Sequence, residues 1–326
     1  MQREEVIRLF PGKLREILQK ADWDADGLQE IRLRTDRPLI LWMNGKEYFV
    51  TENGVLTRHS DLAYRISPEE IKITLECLGQ YSLYAYEEEL RQGFLTIQGG
   101  HRVGVAGKAI LEAQKIKGVR QISCINIRFS HEVKGCADPV MPYVLDHQEV
   151  CHTLIISPPR CGKTTLLRDM IRQISNGTGK FPGCTVGVVD ERSEIGGCYQ
   201  GIPQNDVGIR TDLLDCCPKS EGMIMLLRSM SPAVIAVDEI GSYDDIQAIE
   251  MTLNSGCKLL ATVHGSSIQE MEQKPLLERL MREHVFQRYI LLQGEQKNQV
   301  GAVSQIYDDR GTCLFRAEES YSICSK

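Results

Sequence analysis

The sequence predicts two domains: a smaller α+β domain over residues 1–143 and an α/β domain with a mainly parallel sheet over residues 151–326, joined by a linker at about 137–150. Apolar segments alternate with helical patterns in the second half, which is typical of a parallel sheet covered by helices. The first half has alternating apolar and polar positions around glycine turns, as hairpins do. Two prolines, Pro139 and Pro142, favour the linker position.

Length and composition agree with this division. A chain of 326 residues can bury a core in each of two domains. The formal charge of -6 argues against a dedicated nucleic-acid binder. The twelve cysteines form no C-x-x-C pair, so we expect no zinc site and reduced thiols, as in a cytoplasm. No segment approaches the roughly 20 apolar residues of a membrane span, and we expect neither a signal peptide nor a transmembrane segment.

Local signals place elements in the first domain. The segment 31–50 alternates around Asn44-Gly45 and predicts a hairpin. Ser67 and Glu70 have the spacing of a capping box, so a helix is expected to begin there. Between residues 102 and 134 basic residues predominate, which indicates a solvated face or a surface for an acidic partner or for a nucleotide across a subunit boundary.

The second domain opens with a phosphate-loop pattern. Residues 152–168, HTLIISPPRCGKTTLLR, run from an apolar strand through Gly-Lys-Thr-Thr into an amphipathic helix. Backbone N–H groups of the loop are expected to surround a β-phosphate, with Lys163 on the β- and γ-oxygens and the Thr164 hydroxyl on Mg²⁺. Ser157 stands where the usual pattern has its first glycine, so the two following prolines are expected to shape the turn. A chance Gly-Lys-Thr is the alternative. The candidate nucleotide-binding residues are Ser157, Pro158, Pro159, Arg160, Cys161, Gly162, Lys163, Thr164 and Thr165.

Further strands are predicted over 185–190, 233–238, 258–263 and 288–293, and polar residues lie at their carboxyl ends, where an open α/β sheet binds ligands. At one of these ends, Asp238 is predicted to hold Mg²⁺ through water.

Glu239, the next residue, is predicted to polarise the attacking water. Asp190-Glu191 is a competing or accessory Mg²⁺ site; we favour accessory, because the strand before Asp238 is more apolar. His264 is either a γ-phosphate sensor or a structural histidine.

Arginines could supply positive charge to the transition state, in the same subunit or in a neighbouring one. Surface or ion-pair roles are the common alternative. Taken together, the candidate catalytic residues are Lys163, Glu239, His264, Asp190, Glu191, Arg210, Arg228 and Arg128, and the candidate metal ligands are Thr164 and Asp238.

The order and spacing of four segments resemble the ATPases of type II and type IV secretion and of type IV pili. Lys163-Thr164 matches their phosphate loop, VVDERSEI the aspartate box, LLRSMSPAVIAVDEIGS the second nucleotide motif and ATVHGSS the histidine box. The resemblance implies a RecA-like P-loop NTPase domain that binds ATP and Mg²⁺ and hydrolyses ATP within a homo-oligomeric ring, expected to be a hexamer. It also implies that Glu239 is the catalytic base and that Arg102 and Arg128 lie in a domain that caps the nucleotide.

Three longer segments resemble a branch of these ATPases that acts in endospore formation. The segments are SPPRCGKTTLLRD, DVGIRTDLLDCCPKSEGM and GFLTIQGGHRVGVAGKAI. This implies a cytoplasmic ATPase of the mother cell, at the cytoplasmic face of its membrane, with membrane-embedded channel proteins as partners.

Two departures from the secretion pattern stand out: Asp238 replaces a glycine before Glu239, and the aspartate box reads Asp-Glu. Two alternatives remain, a nucleotide-gated scaffold with little turnover and an ATPase stimulated by nucleic acid; the negative charge counts against the second.

Overall fold

The computed structural model divides the chain into two compact units, Met1–His131 and Glu132–Lys326. The structure describes residues 3–79, 93–112, 115–293 and 302–317. The parts of the predicted domains that fall on the remaining residues lie outside this described part of the chain.

The boundary lies before the predicted linker at 137–150. Ala137, Val140 and Val144 are fully buried in the core of the second unit. Burial of these apolar side chains stabilises the packing of this segment within the second unit. The proline-containing segment therefore includes a short helix and is not a linker. Residues 132–143 therefore belong to the second unit and not, as predicted, to the first.

The first unit contains a seven-stranded sheet in the order β4-β3-β2-β1-β7-β6-β5, with every neighbouring pair antiparallel. Its described helices are α1 (Arg3–Arg8), α2 (Gly12–Lys20) and α3 (Pro68–Leu78). Its strands are β1 (Leu28–Arg34), β2 (Ile40–Met43), β3 (Lys46–Val50), β4 (Leu56–Thr57), β5 (Phe94–Ile97), β6 (His101–Glu112) and β7 (Lys115–Arg128).

Two local predictions for this unit are confirmed. Strands β2 and β3 form the predicted hairpin, and both of its turn residues are left-handed, with φ of 49° at Asn44 and 71° at Gly45. At the start of α3 the Ser67 Oγ accepts from the Glu70 N–H at 3.2 Å, and the Glu70 carboxylate accepts from the Ser67 N–H at 2.8 Å. Short-range sequence signals therefore determined these elements.

The second unit contains an eight-stranded sheet in the order β12-β11-β13-β14-β10-β15-β16-β17. Neighbouring strands pair in parallel from β12 to β15, whereas the β15–β16 and β16–β17 pairs are antiparallel. Its described helices are α4 (Met141–Val144), α5 (Lys163–Asn176), α6 (Lys219–Ser229), α7 (Tyr243–Asn254), α8 (Ile268–Glu272) and α9 (Glu278–Arg282). Its strands are β8 (Leu145–Asp146), β9 (Glu149–Val150), β10 (Thr153–Ser157), β11 (Val186–Asp190), β12 (Thr211–Asp215), β13 (Val234–Val237), β14 (Lys258–His264), β15 (Arg288–Leu292), β16 (Val303–Asp308) and β17 (Cys313–Arg316).

The parallel strands are covered on both faces. Ile155 of β10 packs into a core that includes α5, whereas Leu154 and Ile156 pack into a second core that includes α6 and α7. This alternation fixes the register of each strand, because a shift by one residue would exchange the two faces. The carboxyl ends of β10, β13 and β14 are therefore held side by side at one edge.

Strand β12 of this sheet was not predicted. Its sequence TDLLD carries polar residues at three of five positions, and all five residues are half-buried at the edge of the sheet. An edge strand has one solvated side and lacks the continuous apolar run of the central strands. Among the described residues, no helix has the length and apolar character needed to cross a membrane.

Candidate functional site

The phosphate loop connects β10 to α5. Ser157 is fully buried at the end of the strand, and its Oγ donates to the Pro158 carbonyl at 2.8 Å. The chain turns at Arg160, with φ of 64°, and at Gly162, with φ of 86°. Arg160 thus takes a left-handed conformation that costs a non-glycine residue about 1 kcal/mol. These two left-handed residues contribute to the reversal, after which the N-terminus of α5 has no side-chain cap and is open to an anion.

Lys163 begins α5 and turns its side chain towards the ends of the neighbouring strands. Its side chain is 10% exposed and forms an ion pair with Oε1 of Glu239. The Nζ atom lies 3.3 Å from His264 Nε2, which in turn lies 3.0 Å from Glu239 Oε1. The structure therefore brings together three of the predicted catalytic residues, which lie at the starts or ends of different elements.

A second contact joins the two predicted metal ligands. The Thr164 Oγ1 donates to Oδ2 of Asp238 at 2.5 Å, and the hydroxyl of the buried Thr262 donates to the other carboxylate oxygen. Thr262 Oγ1 also accepts from the Glu239 N–H at 2.9 Å. The hydroxyl of Thr262 thus connects Asp238 and Glu239 to β14, the strand that lies between β13 and β10.

Glu239 follows β13 in a left-handed conformation, with φ of 53°, and its side chain is 20% exposed. Its other oxygen, Oε2, lies 2.8 Å from Nη1 of Arg192. Burial raises the pKa of Glu239, but the hydrogen bond and charge of Lys163, with the charges of Arg192 and His264, outweigh burial and hold the pKa below its ordinary value. The carboxylate is therefore ionised at neutral pH.

Arg192 and Thr262 were not predicted to belong to the site. Arg192 directly follows the Asp190-Glu191 pair, and Thr262 lies two residues before His264 on the same strand, hence on the same face. Strand alternation could therefore have identified Thr262. No sequence signal distinguishes Arg192 from other surface arginines.

Asp190 faces away from Lys163 into the loop that follows β11. It is 2% exposed, and its carboxylate accepts N–H groups of Glu194, Ile195 and Gly196 at 2.8–2.9 Å. Burial, opposed by these hydrogen bonds and reinforced by the charge of Asp215, raises the pKa of Asp190 to about 6. In the structure this side chain organises a loop.

The Glu191 side chain also contacts a residue outside the Lys163 cluster. Its carboxylate forms an ion pair with Lys219 at the start of α6, where the lysine side chain is 10% exposed. Within the described part of the chain, the contacts of Asp190 and Glu191 do not include Lys163 or Asp238.

The predicted arginines lie apart from the Lys163 cluster within the second unit. Arg210 donates to the carbonyls of Ser175 at 2.6 Å and Asn176 at 3.3 Å, at the end of α5 opposite Lys163. Arg228 is exposed in the last turn of α6.

Arg102 and Arg128 belong to the first unit. The guanidinium of Arg102 stacks 3.6 Å from the centre of the Phe94 ring. Arg128 is 57% exposed, with Nε 4.0 Å from Glu30. Both are surface arginines of this unit's sheet.

A family model described as sporulation stage III, protein AA matches residues 1–314. The chain belongs to this family. Stage III sporulation protein AA of Bacillus subtilis (strain 168) is 43% identical over 289 residues, which cover 89% of each chain.

Two solved structures, an ATPase and a pilus retraction motor, share the fold of this family member. The ATPase DotB of Legionella pneumophila superposes with a TM-score of 0.54 at 15% identity, over 81% of this chain and 72% of DotB. The pilus retraction motor PilT, solved with bound ADP, gives a TM-score of 0.54 at 14% identity, over 82% of this chain and 74% of PilT. The predicted RecA-like α/β domain and the resemblance to secretion ATPases are confirmed.

The donor atoms beside the phosphate loop fit Mg²⁺ bound with a nucleotide. Among the described residues, no group of three or more His, Cys, Asp or Glu side chains could enclose a metal ion. Mg²⁺ keeps several waters, however, and often uses one or two protein oxygens together with substrate phosphates. The Thr164 hydroxyl and the Asp238 carboxylate, 2.5 Å apart, would supply two such oxygens.

The contacts of Arg210 predict a structural role. We expect Arg210→Ala to lower the free energy of unfolding by about 2 kcal/mol, because charged hydrogen bonds to the last carbonyls of α5 are lost. Any ATP turnover by the remaining folded protein should stay at the parent level. Denaturant unfolding, compared with phosphate release per folded molecule, measures both. A large loss of turnover without loss of stability would contradict this assignment.

Proposed function

We propose that this chain is an ATPase that hydrolyses Mg-ATP to ADP and phosphate at the carboxyl ends of β10, β13 and β14. The convergence of Lys163, Glu239 and His264 beside the Thr164–Asp238 pair carries the proposal. These groups lie next to the open N-terminus of α5, where a polyphosphate is favoured.

The loop and Lys163 would bind the phosphates. Backbone N–H groups from Arg160 to Gly162 would donate to the β-phosphate, and the Lys163 amine would contact the β- and γ-oxygens. Mg²⁺ held by Thr164 and Asp238 would neutralise the charge that develops on these oxygens.

Glu239 would orient and polarise the water that attacks the γ-phosphate. Its lowered pKa keeps the carboxylate available as an acceptor at neutral pH. In the structure Lys163 pairs with Glu239 Oε1, so a phosphate that draws the amine towards itself would free Oε1 to accept from water. His264 lies within 3.3 Å of both groups and would exchange partners when the γ-phosphate leaves.

We further propose that the protein works as a homo-oligomeric ring in the mother-cell cytoplasm, with membrane-embedded channel proteins as partners. Support comes from the sporulation family and from the fold shared with an ATPase and a pilus retraction motor. A ring would convert each hydrolysis cycle into domain motion.

The test is phosphate release from Mg-ATP across a protein dilution series, with Glu239→Gln beside the parent to exclude a contaminating ATPase. We expect specific activity to rise with protein concentration and to fall in the variant. If the parent binds ATP but releases no phosphate at any concentration, the ATPase proposal is replaced by a nucleotide-gated scaffold. Failure to bind ATP would contradict the site itself.

A further inference from the structure

The two oxygens of the Glu239 carboxylate have different partners. Oε1 is shared by the amine of Lys163 and by His264 Nε2, whereas Oε2 lies 2.8 Å from the Arg192 guanidinium. A nucleotide that draws Lys163 away would therefore release Oε1 and leave Oε2 held. A carboxylate anchored through one oxygen can present the other in a fixed direction.

The loop that carries Arg192 is fixed by buried polar contacts. Three of its N–H groups donate to the buried Asp190 carboxylate, as described above. The Ile195 carbonyl accepts from Arg168 Nε at 2.6 Å and from Asn205 Nδ2 at 3.0 Å, and Arg168 and Asn205 are both buried. The backbone beneath Arg192 is thus held in place although the Arg192 side chain is 60% exposed.

We propose that Arg192 is a positioning residue for Glu239 in ATP hydrolysis, holding Oε2 so that Oε1 is directed at the attacking water once Lys163 has moved to the phosphates. This inference rests on the proposed ATPase function. It also gives Asp190 a role, because its carboxylate builds the loop from which Arg192 reaches Glu239.

The experiment compares Arg192→Ala and Arg192→Lys with the parent in single-turnover and steady-state ATP hydrolysis. A misplaced reacting group costs up to about 100-fold, so we expect kcat to fall between about 10-fold and 100-fold in Arg192→Ala. KM for ATP and the affinity for ADP should stay near parent values, because Arg192 is assigned no phosphate contact. Arg192→Lys keeps the charge and should recover part of kcat.

A double-mutant comparison separates this role from a merely structural one. In the Glu239→Gln background Arg192→Ala should cause no further loss, because it acts through the carboxylate.

Arg279 offers a matched control. Its Nη1 lies 2.8 Å from Glu250, its Nε donates to Glu283 at 3.0 Å, and its side chain is 58% exposed, so it matches Arg192 in ion-pair distance and exposure. Arg279→Ala should keep the parent kcat and KM. An active parent with unchanged kcat in Arg192→Ala overturns this inference alone, as does equal loss in both arginine variants. A parent without hydrolysis overturns the proposed function and this inference with it.

Discussion

Replacing Lys163 by alanine is expected to abolish ATP turnover and to weaken nucleotide binding by at least about 100-fold, since a preorganised charge on the transferring phosphoryl group is lost. The structure supplies the reason. Lys163 is the first residue of α5, its side chain is 10% exposed, and it lies between the phosphate loop and Glu239. Calorimetric titration with Mg-ADP, together with phosphate release, measures both effects.

The matched control is Lys219→Ala. Lys219 also begins a helix, has a side chain that is 10% exposed and pairs with a glutamate, Glu191. Each variant loses an ion pair made by a largely buried lysine, so both should unfold more easily. Only Lys163→Ala should lose nucleotide affinity while folded. Retained affinity in Lys163→Ala, or equal loss in both variants, would contradict the site assignment.

The sequence predicted those parts of the site that lie in local motifs. Lys163 and Thr164 follow a strand and open a helix, a pattern set by the needs of phosphate binding. Asp238, Glu239 and His264 were found because parallel strands end at one edge of a sheet. The fold class followed from strand and helix alternation for the same reason.

The remaining features depend on contacts between distant residues. Whether Asp190 faces the phosphate loop or its own loop depends on which backbone N–H groups lie within reach of its carboxylate, and the structure places three such groups beside it. Arg210 lies near the second motif in sequence but at the far end of α5 in space. The domain boundary lies earlier in the chain than predicted, because apolar residues beside Pro139 and Pro142 are buried in the core of the second unit. None of these outcomes can be read from spacing alone.

The Lys163 amine has two competing partners, the Glu239 carboxylate and a bound phosphate. This competition is the basis of the second prediction, the effect of Glu239→Gln. In the structure the Lys163 amine pairs with Glu239, so phosphate must displace a carboxylate in order to bind. Glutamine at position 239 removes the competing charge and the acceptor for the attacking water. We expect Glu239→Gln to bind ATP at least as tightly as the parent, while hydrolysis slows by about 10²–10⁴-fold, the usual contribution of a general base.

Binding measured on the folded protein and single-turnover hydrolysis separate the two effects. Glu250→Gln is the control, because Glu250 also pairs with an arginine at 2.8 Å and is 34% exposed, against 20% for Glu239. It should leave affinity and rate unchanged. Weaker ATP binding in Glu239→Gln would mean that Lys163 is not held back by this carboxylate. Unchanged hydrolysis in Glu239→Gln would mean that another residue is the general base, since the charge on Oε1 would then be dispensable for activating water.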